Sequence, residues 1–141
     1  MPQIERITSR GQLVHFRFTH NSAADSQSAA AMQTLQSSAG SSETTEYTVP
    51  WDYDVVGISV AGDTPRTAGT LTVDATIDGT VTGLQAALDA TNTQYHYASQ
   101  TFDTDVGTAG SRVGCKITTS SWTPVAADVE VLVYCIVRLD F

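Results

Sequence analysis

The chain alternates over most of its length. In LVHFRFT, residues 13–19, Val14, Phe16 and Phe18 fall on one side and His15, Arg17 and Thr19 on the other. A period of two predicts a half-buried strand. In RTAGTLTVDATIDGT, Arg66 to Thr80, one face collects Leu71, Val73, Ala75 and Ile77, and the other is largely threonine. Threonine suits an outward strand face, where its β-branch fits the pleat and its hydroxyl keeps the surface wet. The stretch ends in Asp78-Gly79, and TVTGLQAAL, 80–88, alternates again behind it. Two alternating runs joined by Asp-Gly predict a hairpin, because a type I′ turn needs positive φ at both central residues.

Further strands are predicted at EYTV before Pro50, at DVVGISVAG (54–62), at TQYHYASQTF (93–102) and at SRVGCKITT (111–119). DTDVGTAG and SSWTPVAAD read as connectors between them. The last run, DVEVLVYCIVRLDF (128–141), is apolar on both faces. Val129, Val131, Val133, Cys135 and Val137 share one, and Leu132, Tyr134 and Ile136 the other. Such a strand is expected to be central, with a second sheet on one face and a neighbouring subunit on the other. Seven strands from residue 46 onward and one at 13–19 predict an all-β fold, an antiparallel β-sandwich of jelly-roll-like form with an N-terminal arm.

NSAADSQSAAAMQTLQSSAGSSE, Asn21 to Glu43, breaks the alternation. Ser22 or Asp25 could cap a short helix over 24–37, with Ala29, Met32, Leu35 and Gln36 near one face. That face is thin, so a linker fits equally well. The expected division is an N-terminal arm with linker or short helix, 1–42, and a β-sandwich domain, 43–141.

Composition sharpens this outline. With 141 residues and 41% hydrophobic positions the chain can build one core. Only 16% of residues are charged, and the net charge is −8. Residues 1–42 hold Arg6, Arg10 and Arg17 against Glu5 and Asp25; the remainder holds four basic residues against thirteen acids. An acidic body repels phosphate backbones, which argues against nucleic acid as a partner. No run approaches the ~18 apolar residues of a membrane-spanning helix. MPQIERITSR lacks the apolar core of a secretory signal, so synthesis in a cytoplasm is expected. Cys115 and Cys135 sit inside apolar strand patterns, as buried free thiols or as a disulfide between neighbouring strands.

Chemistry-bearing constellations are sparse. GISVAG at 57–62 has the wrong spacing for a nucleophile elbow, and no Walker or GxGxxG loop occurs. His15, His20 and His96 are far apart, and no acid–base pair or nucleophile can be named. The chain is therefore expected not to be an enzyme and to carry no cofactor or metal. Asp103 and Asp105 in DTDVG supply two hard oxygens, but Gly107 stands where a third calcium ligand would be needed. WDYD, 51–54, puts Trp51 and Tyr53 on one side and two acids on the other, a pattern that stacks on sugars or anchors a sandwich edge. Trp122 before Pro124 is expected to cover the end of the core.

Taken in order, VPWDYDVVGISVA, RTAGTLTVDATIDGT, GLQAALDATNTQYHYASQ, AGSRVGCKIT and SSWTPVAADVEVLVYCIV resemble small β-sandwich virion proteins of tailed bacteriophages, of the head decoration or cement type. The resemblance covers about two-thirds of the chain. It implies a capsid decoration protein on the outer surface of the virion, often a homotrimer, that binds the major capsid protein and stabilises the shell. On that reading Ile4, Ile7, Leu13, Phe16, Arg17 and Phe18 are the expected shell or subunit contacts. Leu132, Tyr134 and Ile136 are the expected trimer interface. The alternative is a fibre tip or collar module that binds a host-surface glycan through Trp51, Tyr53, Tyr95 and Tyr97.

Overall fold

The computed structural model describes residues 11–34 and 45–139. Ile4, Ile7 and the Leu35–Gln36 part of the candidate helix lie outside them. The strands in chain order are β1 (Gln12–His20), β2 (Ala30–Ala31), β3 (Glu46–Thr48), β4 (Tyr53–Gly62) and β5 (Ala68–Ile77). They continue as β6 (Thr80–Leu88), β7 (Tyr95–Ser99), β8 (Asp105–Gly107), β9 (Arg112–Thr123) and β10 (Val129–Val137). There is no helix among the described residues.

Two antiparallel sheets face each other. One runs β1-β10-β4-β7, with β8 pairing the other end of β4; the second runs β2-β9-β5-β6, with β3 also on β9. The fold is the expected antiparallel sandwich. Its core comes from the inward positions of both sheets. Val129, Val131, Val133, Cys135 and Val137 of β10 face Leu71, Val73 and Ala75 of β5 and Val113, Cys115 and Ile117 of β9, all buried. Each fully buried aliphatic side chain contributes roughly 1.5–3 kcal/mol. Both cysteines are free and buried, one in each sheet. Burial pushes the Cys135 thiol up to about 12 and that of Cys115 higher still, so neither is a nucleophile at neutral pH.

The Asp78-Gly79 turn has φ of 50° and 78°, the geometry the hairpin requires. Asp78 does more than turn the chain, because its carboxylate accepts the backbone N–H of Arg112 at 2.9 Å and ties the hairpin to β9.

Three expectations are corrected. First, β1 is not part of a separate arm. It pairs with β10 over all nine residues, from Gln12↔Val137 to His20↔Val129. A boundary at residue 42 therefore cuts through the first sheet. Second, residues 21–34 form neither helix nor free linker. Ser22 and Ala29 have positive φ, 52° and 45°, which a helix does not tolerate. The segment spends its backbone groups on β9 instead. Gln27 N–H donates to Thr119 Oγ1 at 2.7 Å and Met32 N–H to the Cys115 carbonyl at 2.8 Å. Thr19 and Gln33 exchange two N–H···O bonds, so the segment carries the chain from one sheet to the other. Met32, fully buried, plugs the side it closes. Third, DTDVG is not a bare turn: its second half is β8. The SSWT part of the expected connector belongs to β9, where Trp122 is fully buried and its indole N–H donates to the Pro124 carbonyl.

Phe18 is also inside. It is fully buried and meets Tyr47 edge-on, with ring centroids 5.4 Å apart. It is therefore a core residue and not a shell contact, because the inward face of β1 is the interior of the sandwich. Phe18→Ala is expected to cost about 3–5 kcal/mol in urea unfolding, as truncation of a buried aromatic does. A loss below about 1 kcal/mol would return Phe18 to the surface.

Candidate functional site

Among the described residues the outer face of the first sheet gathers the exposed side chains of Leu13, Tyr95, Tyr97 and Val106. Cross-strand register sets it out in four rows. Leu13, Ile136, Asp54 and Val106 form the first, and His15, Tyr134, Gly57 and Ser99 the second. Arg17, Leu132, Ser59 and Tyr97 form the third, and Thr19, Glu130, Ala61 and Tyr95 the fourth. Rows lie about 7 Å apart, two residues of strand.

These rows exist because β4 is bulged. Tyr134 pairs with Gly57 but Cys135 pairs with Val55, so Val56 is an extra residue. A bulge resets which side a strand shows. Inward positions on β4 are therefore Tyr53, Val55, Ile58 and Val60, all buried, and both Asp54 and Gly57 face out. Gly57 lies directly under Tyr134, and a Cβ there would come into van der Waals contact with it at 3.4 Å.

The first two rows are the apolar end. Leu13 is 59% exposed and Val106 45%, while Ile136 and Tyr134 are half-buried. Asp54, in the midst of these, is fully buried. Its Oδ2 accepts two hydrogen bonds from Arg138, from Nε at 3.2 Å and Nη2 at 2.7 Å. The same guanidinium pairs with Asp103 and lies over the Phe102 ring, 4.9 Å from its centre. The two carboxylates raise the Arg138 pKa further, Asp54 first. The cluster is a clasp that holds the end of β10 and the loop before β8 against β4.

The last two rows are more polar. Leu132, Glu130, Ser59, Ala61, Asn92, Tyr95 and Tyr97 surround a depression of about 450 Å³. Arg17, the expected shell contact, is exposed but pairs with Glu130 at 2.7 Å.

The other expected residues are scattered. Phe16 is half-buried on the inner side of β1, against Tyr47, with ring centroids 5.2 Å apart. It lines a second groove of about 350 Å³ with Val14, Val49, Pro50, Trp51 and Leu139. Leu13 and Phe16 thus sit on opposite faces of one strand. The WDYD aromatics also separate: Trp51 is 43% exposed, whereas Tyr53 is fully buried and its hydroxyl accepts from Ser111 Oγ at 2.9 Å. Tyr53 fits because position 107 is glycine; a Cβ there would fall 2.0 Å from the phenol ring. Tyr53 cannot touch a glycan. His96 turns inward and accepts the Ala87 N–H at 3.2 Å, which links β7 to the second sheet. Among the described residues no group of three metal-binding side chains comes together. The residues that sequence reasoning passed over are Asp54, Arg138 and Phe102, whose only signal was an acid inside a strand.

The chain matches no protein-family model and no curated protein. Among solved structures it is similar to a chain in the acidic stable capsid of the Helicobacter pylori bacteriophage KHP30. The TM-score is 0.53 at 9% identity, over 94% of this chain and 96% of that one. A chain in the capsid asymmetric unit of cyanophage Pam1 gives a TM-score of 0.47 at 13% identity, over 89% of this chain and 84% of that one. The first likeness shows a shared fold: almost the whole of this chain superposes on almost the whole of a chain from a phage capsid.

The clasp yields a testable consequence. Arg138→Met leaves the buried Asp54 carboxylate uncompensated and should destabilise by about 2–4 kcal/mol in urea unfolding. Adding Asp54→Asn removes the stranded charge and should recover at least half of the loss. No recovery would mean that Arg138 acts through packing alone.

Proposed function

We propose that this protein is a structural component of a tailed-phage head, a decoration protein that assembles as a homotrimer on the outer capsid surface and binds the major capsid protein. The observation that carries the reading is the apolar end of the first sheet, joined to a fold that spans a phage capsid chain nearly end to end. Leu13, Ile136 and Val106 share a cross-strand row with the buried Asp54, and Tyr134 lies beside them; Leu13 and Val106 are exposed among the described residues. Apolar side chains left exposed together on one sheet face mark an interface in a protein that must otherwise stay dispersed.

In the trimer, Leu13, Tyr134 and Ile136 turn toward the three-fold axis, with Leu132 at the border of the contact. Phe16 and Trp51, on the opposite side of β1, then remain available for the shell. Each contact is small, and many copies on one particle make the binding strong collectively. The acidic, hydroxyl-rich remainder keeps decorated particles apart. No catalytic step is assigned to the protein.

Light scattering coupled to size exclusion tests the assembly. The wild type is expected at three times the chain mass, and Leu13→Glu and Ile136→Glu are each expected to yield monomers that keep the far-ultraviolet circular dichroism of the wild type. A monomeric wild type at micromolar concentration would remove the trimer. Adding the protein to undecorated heads and counting bound copies tests the role: hundreds per particle support decoration, and a dozen or fewer exclude it.

A further inference from the structure

We propose that the groove in the last two rows of the first sheet, walled by Tyr95 and Tyr97, binds a neutral carbohydrate. Tyr95 and Tyr97 are 68% and 73% exposed, more than any other large hydrophobic residue among those described. They stand two residues apart on β7, so both project from the same face about 7 Å from each other. Their cross-strand neighbours on β4 are Ala61 and Ser59, which are too small to cover them. Both tyrosines therefore border an open depression of about 450 Å³, within the usual range of small-ligand sites.

An aromatic ring of this kind offers an apolar face and a polar tip, the chemistry that a pyranose needs from a protein. The C–H face of the sugar stacks on the ring, and its hydroxyls seek acceptors at the rim. The rim supplies them. Glu130 Oε2 is taken by Arg17, but Oε1 has no protein partner among the described residues. Asn92 lines the same depression, and its backbone N–H and carbonyl are both bonded to Asp89. Ser59 Oγ is held only by a long contact to the Tyr134 hydroxyl at 3.4 Å.

Charge narrows the ligand. A second depression of about 410 Å³ adjoins the first past Tyr95, and Asp63, Asp128 and Glu130 line it against the single cation Arg17. On a chain of net charge −8, that excess of carboxylates disfavours sialylated, sulfated or phosphorylated glycans. Neutral hexoses and N-acetylhexosamines fit, with their hydroxyls donating to the carboxylates. The apolar rows around Leu13 and Ile136 lie toward the other end of the sheet, and only Leu132 is shared between the groove and the proposed subunit contact.

Saturation-transfer NMR on the full chain tests it, with glucose, galactose, mannose, N-acetylglucosamine and their β-linked oligomers as probes and sialyllactose as the anionic control. Transfer to at least one neutral sugar and none to sialyllactose is expected. Tyr95→Ala and Tyr97→Ala should each weaken the best binder about tenfold in calorimetry. Both residues are exposed, so the thermal midpoint and the oligomeric state should not move. The site is overturned by the absence of transfer to every neutral probe, by a preference for sialyllactose, or by transfer undiminished in the Tyr95→Ala/Tyr97→Ala double variant. Loss of trimer in these variants would instead mark the groove as a subunit contact.

Discussion

Strand β10 is the member on which the rest of the structure leans. It is hydrogen-bonded on both sides, to β1 and to β4, through nine partner pairs each. Its inward side chains are all buried and supply the middle of the core, and its outward ones form the centre of the outer face. Removing it would split the first sheet and open the sandwich, because among the described residues β1 pairs with β10 and otherwise makes only a short bridge to Gln33. The chain can therefore close its fold only when its last long strand is in place between its first and its fourth. This is a topology rich in long-range pairing, of the kind that forms slowly.

The bulge at Val56 is a second constraint, and it connects packing to surface. A regular strand would alternate through Tyr53, Val55 and Gly57 and would turn Ile58 and Val60 outward. The extra residue returns Ile58 and Val60 to the core and leaves Asp54 and Gly57 on the outer face. A buried carboxylate costs several kcal/mol unless it is paired. Arg138 supplies the partner, with Asp103 and Phe102 holding the guanidinium in place. The clasp also fixes the end of β10, so the feature that the bulge makes necessary becomes a fastening between three segments.

What results on the surface is a sheet with two ends of different character. One gathers Leu13, Ile136 and Val106 around the clasped Asp54; the other is hollowed, with tyrosines and a carboxylate at its rim. The second sheet carries the threonine faces, with Thr72, Thr118 and Ser120 on outward positions. Hydroxyls there give solubility at low charge, and β-branching keeps the strands extended. Function in such a molecule is expected at faces and edges, where the core has already used every inward side chain.

Much of this was legible in the sequence, and the reason is local. Alternation with period two and an Asp-Gly turn depend only on neighbouring residues, so the hairpin of β5 and β6, the inward face of β5 at Leu71, Val73 and Ala75, and the two-sided character of β10 could be read directly. The all-β class followed from the same signal. Tertiary structure alone decided the rest. Whether Phe18 meets a shell or a core depends on β1 finding β10 more than a hundred residues away. The 21–34 segment holds no strand signal of its own, and it became an extended crossing only because β9 offered bonds to Gln27 and Met32. Asp54 reads as an ordinary exposed acid until a bulge and an arginine 84 positions later bury it. Periodicity shows which side chains share a face. Only pairing between distant strands determines what that face meets.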